Sequence, residues 1–357
     1  MESVSDEKHA ANTGPWGTAR YNLSMRAMVL HKPGPVKEAP LRLEEVTLPV
    51  PHEGELRVQV RCCGICHTDL HIVEGELSLP CLPIIPGHQI VGFVEARGSH
   101  VRTHKEGDRV GIPWLHSTDG TCYYCRHGSE NLCDNAQFTG FHVDGGYAEF
   151  AVVGEDFAYR IPDTFSDEHA APLLCAGIVG YRSYRISGAR AGDRLGLYGF
   201  GASAHLVLQL ARYQGCEVYV FTRADTHREL ATRLGAAWAG RAEDNPPAPL
   251  DCAIIFAPAG SLVPLALRTL RKGGTLALAG ITMSPIPEID YSLLYQERAI
   301  RSVANSTRQD CREFLELAGQ APLRTEIQLF DLAHANQALQ ALKASEIRGA
   351  GVLRIRA

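Results

Sequence analysis

The chain is 357 residues long, too long for one hydrophobic core of ordinary size, so two domains are expected. Its 45% hydrophobic and 21% charged content is that of a soluble globular protein. A net charge of −5 and a pI near 6.3 exclude a nucleic-acid or anionic-membrane partner, and no apolar run approaches the roughly 20 residues that a bilayer span needs. Residues 1–24 are polar, lack the apolar segment of a secretion signal, and read as a disordered extension before a fold that begins near Met25. From there to about Phe150 the pattern is short β-runs, at 55–60, 90–94 and 147–153, broken by Gly and Pro. This is an all-β pattern with two long loops, 62–88 and 112–140, rich in Cys and His.

Near Asp167 the texture changes. One helix is expected over 167–187, with Ala170, Ala171, Leu173, Leu174, Ile178 and Val179 on its apolar face and Gly188 ending it. Strands at 195–198, 216–222, 252–256 and 275–279 then alternate with helices at 202–214, 226–234 and 261–271. Unbroken apolar strands alternating with helices imply an α/β unit, a parallel sheet covered on both faces.

Eleven cysteines without an export signal favour metal or catalytic use over a disulfide framework, and a reducing, cytoplasmic setting. Cys62, Cys63, Cys81, Cys216, Cys252 and Cys311 lie in apolar or strand-like surroundings and read as reduced core thiols. Cys66, Cys122, Cys125, Cys133 and Cys175 need another account.

Gly199-Phe200-Gly201-Ala202-Ser203-Ala204 lies between a strand and a helix. There one glycine permits a tight turn, the next admits a pyrophosphate to the backbone, and the small Ala204 lets the helix pack close, with its N-terminus facing the phosphates. Within a βαβ unit this marks a dinucleotide site. The second strand ends Val220-Phe221-Thr222-Arg223, without the carboxylate that holds a ribose 2′-hydroxyl. Arg223, helped by His227 or Arg228, suits a 2′-phosphate, so the reading leans from NAD toward NADP, with Asp225 as the competing acid.

The densest chemistry is in Gly64-Ile65-Cys66-His67-Thr68-Asp69-Leu70-His71. Cys66-His67, Gly87-His88-Gln89 and Leu174-Cys175-Ala176-Gly177 together offer two cysteines and one histidine, a known donor set for a catalytic zinc with one open position. With Gly145-Gly146-Tyr147-Ala148-Glu149, Ala191-Gly192-Asp193, Leu270-Arg271-Lys272-Gly273-Gly274 and the nucleotide motif, these fragments resemble the zinc-dependent medium-chain alcohol dehydrogenase family from about Met25 onward.

The resemblance implies a GroES-like β-domain over 25–173, to which 313–357 returns, and a Rossmann doubly wound domain over 174–312. It makes Cys66, His88 and Cys175 the catalytic zinc ligands. Thr68 and His71 relay the hydroxyl proton, Asp69 braces His88, His67 touches the cofactor phosphates, and Trp114 walls a pocket for small alcohols. Gln89 departs from the family, which more often has Glu there. The family holds a structural zinc with four cysteines; here Asp119 stands in the first place before Cys122, Cys125 and Cys133, with His116 and His127 as competing fourth ligands. Two zincs per chain, an alcohol or aldehyde substrate and a homo-oligomer, dimer or tetramer, are thus implied. A zinc deaminase reading of His104-Lys105-Glu106 ahead of Cys122-Tyr123-Tyr124-Cys125 lacks the required proline and leaves the nucleotide motif unused.

Overall fold

The computed structural model describes residues 24–356, so the expectation for the first 23 residues lies outside the described ones. Strands β1 (Ser24–Leu30) and β2 (Leu41–Thr47) form an antiparallel ribbon. β3 (Glu55–Ile65) buries Leu56, Val58 and Val60 on one face by period-two alternation, then continues through Cys62 and Cys63 to within one residue of Cys66. Helix α1 (His67–Glu74) follows directly, because Leu70, Ile72 and Val73 all find places in the same core. The expected loop 62–88 is therefore strand and helix over its first half.

β4 (Ile90–Arg97) pairs antiparallel with β3, and β5 (Arg109–Ile112) extends the sheet. β6 (Leu115–Ser117), helix α2 (Tyr123–Arg126) and β7 (Gln137–Phe138) give the 112–140 segment its own small framework, with β6 and β7 paired. β8 (Phe150–Gly154) pairs with β3, and β9 (Tyr159–Arg160) with β5.

The single helix expected over 167–187 is broken. It is α3 (Asp167–Ala170), a 3-10 turn (Ala171–Leu174) and α4 (Ala176–Ser187), with Cys175 between them at φ −132° and ψ −70°. Pro172 opens the 3-10 turn and lacks the N–H that a continuing α-helix requires. The apolar residues stay buried on both sides of the break, which hides it from the hydrophobic pattern.

Beyond α4 come β10 (Arg194–Tyr198), α5 (Ala202–Tyr213), β11 (Glu217–Phe221), α6 (Asp225–Arg233), β12 (Trp238–Gly240), β13 (Leu250–Ile255), α7 (Leu262–Thr269), β14 (Leu270–Leu278) and β15 (Ala299–Ser302), alternating as strand and helix except that no α-helix separates β12 from β13 or β14 from β15. Their six strands form one parallel sheet in the order β12-β11-β10-β13-β14-β15, so the chain reverses direction beside β10. Leu195, Leu197, Val218 and Val220 face one core, while Tyr198, Tyr219 and Phe221 face another. Each fully buried aliphatic side chain contributes about 1.5–3 kcal/mol.

After α8 (Arg308–Gln320) come β16 (Ile327–Asp331), α9 (Ala335–Lys343) and β17 (Ala350–Arg354). β17 lies between β16 and β3, placing Gly351 opposite Ile65 and Arg354 opposite Cys62. Of the six cysteines read as core thiols, Cys81 is exposed: Pro80 and Pro83 hold its segment in an irregular surface stretch. Among the described residues no helix is long and apolar enough to cross a membrane.

Candidate active site and metal centres

Three segments converge at the end of β3. Cys66 caps the N-terminus of α1 in an extended conformation, and Asp69, the third residue of that helix, accepts the Cys66 N–H at 2.8 Å through Oδ2. The other Asp69 oxygen lies 3.0 Å from His88 Nδ1, and both side chains are buried. A carboxylate there only accepts, so Nδ1 carries the proton and Nε2 is free to ligate. Cys175, freed by the break between α3 and α4, brings its Sγ to 3.7 Å from that of Cys66. One donor atom each from Cys66, His88 and Cys175 lies within 4.8 Å of the others.

Their electrostatics couple the three groups closely to one another. The contact with Cys175 holds the Cys66 thiol well below its ordinary range, outweighing burial, and the neighbouring His88 adds to this. Cys175 is pushed well above its own range by Cys66 and by burial. Burial opposes charge on His88, but Asp69 and Cys66 prevail and push it up to about 10. Two sulfurs and one imidazole in a buried, acidic setting fit a zinc ion with an open fourth position. Among the described residues the hydroxyl of the fully buried Tyr147 has no hydrogen-bond partner, and it is held in its neutral form first by burial and then by nearby Asp69. Gln89, next to His88, is also buried.

Along α1, Thr68 is buried with Oγ1 3.7 Å from Cys66 Sγ, His67 is exposed in the first turn, and His71 lies one turn further on. His71 Nδ1 contacts Glu76 Oε2 at 2.5 Å, a partner that the sequence pattern did not single out.

The second cluster joins Asp119, Cys122, Cys125 and Cys133, again with donor atoms within 4.8 Å of one another. Asp119 Oδ1 accepts the N–H groups of Thr121 (2.8 Å) and Cys122 (2.9 Å), and Oδ2 accepts Asn135 Nδ2 (3.0 Å). Those hydrogen bonds, led by that from Cys122, hold its carboxyl far below the usual range. Burial, then the other two thiols, pushes Cys125 up to about 11. The competing histidines are elsewhere: His127 donates Nδ1–H to the Tyr123 carbonyl at 2.7 Å, and His116 is buried away from the cluster. The adjoining 3-10 turn (Glu130–Leu132) ties this lobe to the start of α8, with Glu130 accepting the Arg308 N–H at 3.0 Å.

At the tip of β10, Gly199 adopts φ +86°, and a side chain there would meet the backbone N of Ala257 at 2.9 Å. At Gly201, the N-cap of α5, a side chain would meet nothing within 4 Å, so the backbone at the helix N-terminus is open on that side. Ala202 and Ser203 form the first turn and Ala204 is fully buried beneath it. Thr222 is buried at the end of β11 and Arg223 is exposed. Arg228 is paired with Asp225 and donates to the carbonyls of Thr222 (2.8 Å) and Arg223 (2.9 Å).

Trp114 stands edge-on to His88 with ring centroids 4.8 Å apart, and stacks on Phe138 at 5.0 Å. Phe141 closes the group at 5.9 Å from Trp114, with His142 edge-on to Phe141 at 4.7 Å. Phe138, Phe141 and His142 were not apparent in the sequence; their only signal there is proximity to the Cys-rich loop.

Comparison with known proteins identifies the family. An alcohol dehydrogenase GroES-like domain matches residues 52–163, and a zinc-binding dehydrogenase domain matches residues 204–320. A probable alcohol dehydrogenase, AdhA, of Mycobacterium tuberculosis (strain CDC 1551 / Oshkosh) is 48% identical over 338 residues, covering 93% of this chain and 98% of its own. An alcohol dehydrogenase of Geobacillus stearothermophilus is 36% identical, covering 88% and 96%. The solved cinnamyl alcohol dehydrogenase SbCAD4 of Sorghum bicolor superposes with a TM-score of 0.85 at 26% identity, covering 93% of this chain and 98% of that one. With both halves matched by their domain families and alcohol dehydrogenases aligned along nearly its whole length, the chain belongs to the zinc-dependent medium-chain alcohol dehydrogenase family, as an oxidoreductase that works with zinc and a nicotinamide cofactor.

Proposed function

We propose that the enzyme interconverts a primary or secondary alcohol and its aldehyde or ketone at the cluster of Cys66, His88 and Cys175. The observation that carries this is the approach of three donor atoms to within 4.8 Å from three separate segments. Zinc bound there supplies Lewis acidity toward the substrate oxygen, and the nicotinamide carries the hydride. The protein's own residues set the rest. Cys66 and Cys175 offer thiolates, and Asp69 fixes the His88 ring so that Nε2 faces them. Thr68 takes the hydroxyl proton, and His71 delivers it toward solvent. Gly199, Gly201, Ala202, Ser203 and Ala204 seat the pyrophosphate at the N-terminus of α5, with His67 contacting a phosphate. Trp114, narrowed by Phe138 and Phe141, favours small alcohols.

Asp119, Cys122, Cys125 and Cys133 hold a second, structural zinc, making two per chain. Asp225, the acid that would otherwise receive a ribose hydroxyl, is engaged by Arg228, which leaves the exposed Arg223 for a 2′-phosphate and supports NADP. Strand β15 is a sheet edge flanked by exposed Tyr291 and Tyr295, which supports a homo-oligomer formed across it. The eleven free thiols suit a reducing, cytoplasmic compartment.

The test is a panel of primary and secondary alcohols assayed with both cofactors, alongside zinc analysis and ultracentrifugation. Expected are turnover, two zincs per chain, an oligomer, and a kcat/KM for NADP above that for NAD. A tenfold preference for NAD, about 1.4 kcal/mol, overturns the cofactor assignment. Failure of the zinc-loaded enzyme to turn over any alcohol overturns the reaction.

A further inference from the structure

Helix α1 ends in a way that bears on its chemistry. Gly75 adopts φ +77° and ψ 20°, its N–H donates to the Ile72 carbonyl at 3.1 Å, and the Glu76 N–H donates to the His71 carbonyl at 2.9 Å. This paired closure folds the residue after the glycine back over the one three positions before the helix's last residue. An apolar contact commonly accompanies such a turn. Here the two side chains brought together are a carboxylate and an imidazole: Glu76 Oε2 lies 2.5 Å from His71 Nδ1. Only a glycine fits cheaply between them, since a side chain at residue 75 would meet Pro33 Cβ at 2.9 Å and would be strained at that φ.

We propose that Glu76 is a positioning residue for the proton relay, holding the Nδ1–H of His71 so that Nε2 is the nitrogen that takes the proton, and stabilising the imidazolium that results. This rests on the reading of Thr68 and His71 as a relay. The proton balance is simple. Neutral His71 carries its hydrogen on Nδ1 and donates it to the Glu76 carboxylate. A proton arriving from the Thr68 side binds Nε2, giving an imidazolium paired with the carboxylate. The same Nε2 proton then leaves to water and restores the starting tautomer, while the contact of Nδ1 with Glu76 is kept throughout.

The other charges around His71 do not replace this one. Glu74, on the same helix, is taken by Lys343 of α9 at 2.6 Å and by the Val36 N–H at 3.0 Å. His67 lies one turn earlier on α1, and Lys37 and Glu38 belong to the 3-10 turn packed against it. Of these, Glu76 alone makes a side-chain contact with His71 among the described residues.

The experiment compares Glu76→Gln, Glu76→Asp, His71→Gln and the double variant Glu76→Gln/His71→Gln, reading the pH dependence of single-turnover alcohol oxidation in the zinc-loaded enzyme. The wild-type enzyme is expected to oxidise alcohol faster as pH rises. Removing the carboxylate destabilises the imidazolium, so in Glu76→Gln this rise moves to lower pH by about half to one unit. Glu76→Asp keeps the wild-type position, and His71→Gln abolishes the rise. In the His71→Gln background the second substitution adds nothing. If Glu76→Gln leaves the rise in place while His71→Gln abolishes it, the role of Glu76 is refuted and the relay stands. If His71→Gln leaves the rise unmoved, the relay itself fails, and Glu76 with it. A Glu76→Gln shift that persists without His71 also overturns the proposal. Equal melting temperatures for Glu76→Gln and wild type exclude misfolding as the cause.

Discussion

Asp69 and His88 form a buried pair, Oδ1 to Nδ1 at 3.0 Å, while the second Asp69 oxygen holds the backbone N–H of Cys66 at 2.8 Å. One carboxylate thus orients two of the three residues whose donor atoms converge. Asp69→Asn leaves one of those donors without an acceptor, at a cost of about 1–3 kcal/mol. Zinc affinity at this site should fall about 10- to 100-fold, read by chelator competition. An unchanged affinity would show that Asp69 is no more than a helix cap.

Cys175 sits at the break between α3 and α4, and its thiol has been freed from any helical role. Cys175→Ala should reduce kcat to background and remove one zinc per chain. The circular dichroism spectrum should be unchanged, since among the described residues the Cys175 sulfur contacts the Cys66 sulfur and joins no backbone hydrogen bond. An active variant retaining both zincs disproves the ligand assignment.

Asp119 brings an oxygen to a site whose other donors are sulfurs, and oxygen is the harder ligand. Zinc should leave this lobe before it leaves the other site under a chelator. Asp119→Cys should slow that loss about tenfold or more, and Asp119→Ala should speed it. Because Glu130 of the same lobe holds the Arg308 N–H, loss of this zinc should also lower the melting temperature. Identical release from all three proteins would remove Asp119 from the ligand set.

Glu149 gives an acid-stability prediction. Burial raises its carboxyl pKa, but the Arg26 N–H at 2.9 Å, the Arg26 guanidinium at 3.0 Å and the nearby Arg356 outweigh burial and hold it below the usual value. A carboxyl depressed in the folded state contributes stability that is present above the unfolded value of about 4.3 and lost as pH falls through the folded one. Glu149→Gln should therefore cost about 1–2 kcal/mol at pH 7 in urea denaturation. The gap should close as pH falls below about 4. A gap that persists in acid would assign the loss to packing instead.

What the sequence disclosed depended on how local the signal was. The glycines of the dinucleotide turn and the Cys122–Cys125 spacing act over a few residues, and the structure places them together. The alternation of apolar strands and helices likewise marked the parallel sheet. The break at Cys175 was hidden because Leu173, Leu174, Ala176 and Ile178 remain buried across it, so hydrophobicity continues where the helix does not. Cys81 misled in the opposite sense: its apolar neighbours include prolines that keep it at the surface. The aromatic wall at Phe138 reaches Trp114 through the pairing of β7 with β6, a long-range register that no short window contains.

The seat of β17 beside β3 has a consequence for the order of assembly. The strand that leads into Cys66 gains its neighbour on that side from the last strand among the described elements. During synthesis, domains complete as their segments emerge. The parallel sheet is contiguous in the chain and can close while the ribosome is still at work, whereas the first sheet waits with an open edge beside Cys66. Vectorial synthesis thus makes the surroundings of Cys66 a late product, and a nascent chain halted before Ala350 would carry a finished parallel sheet next to an unfinished antiparallel one.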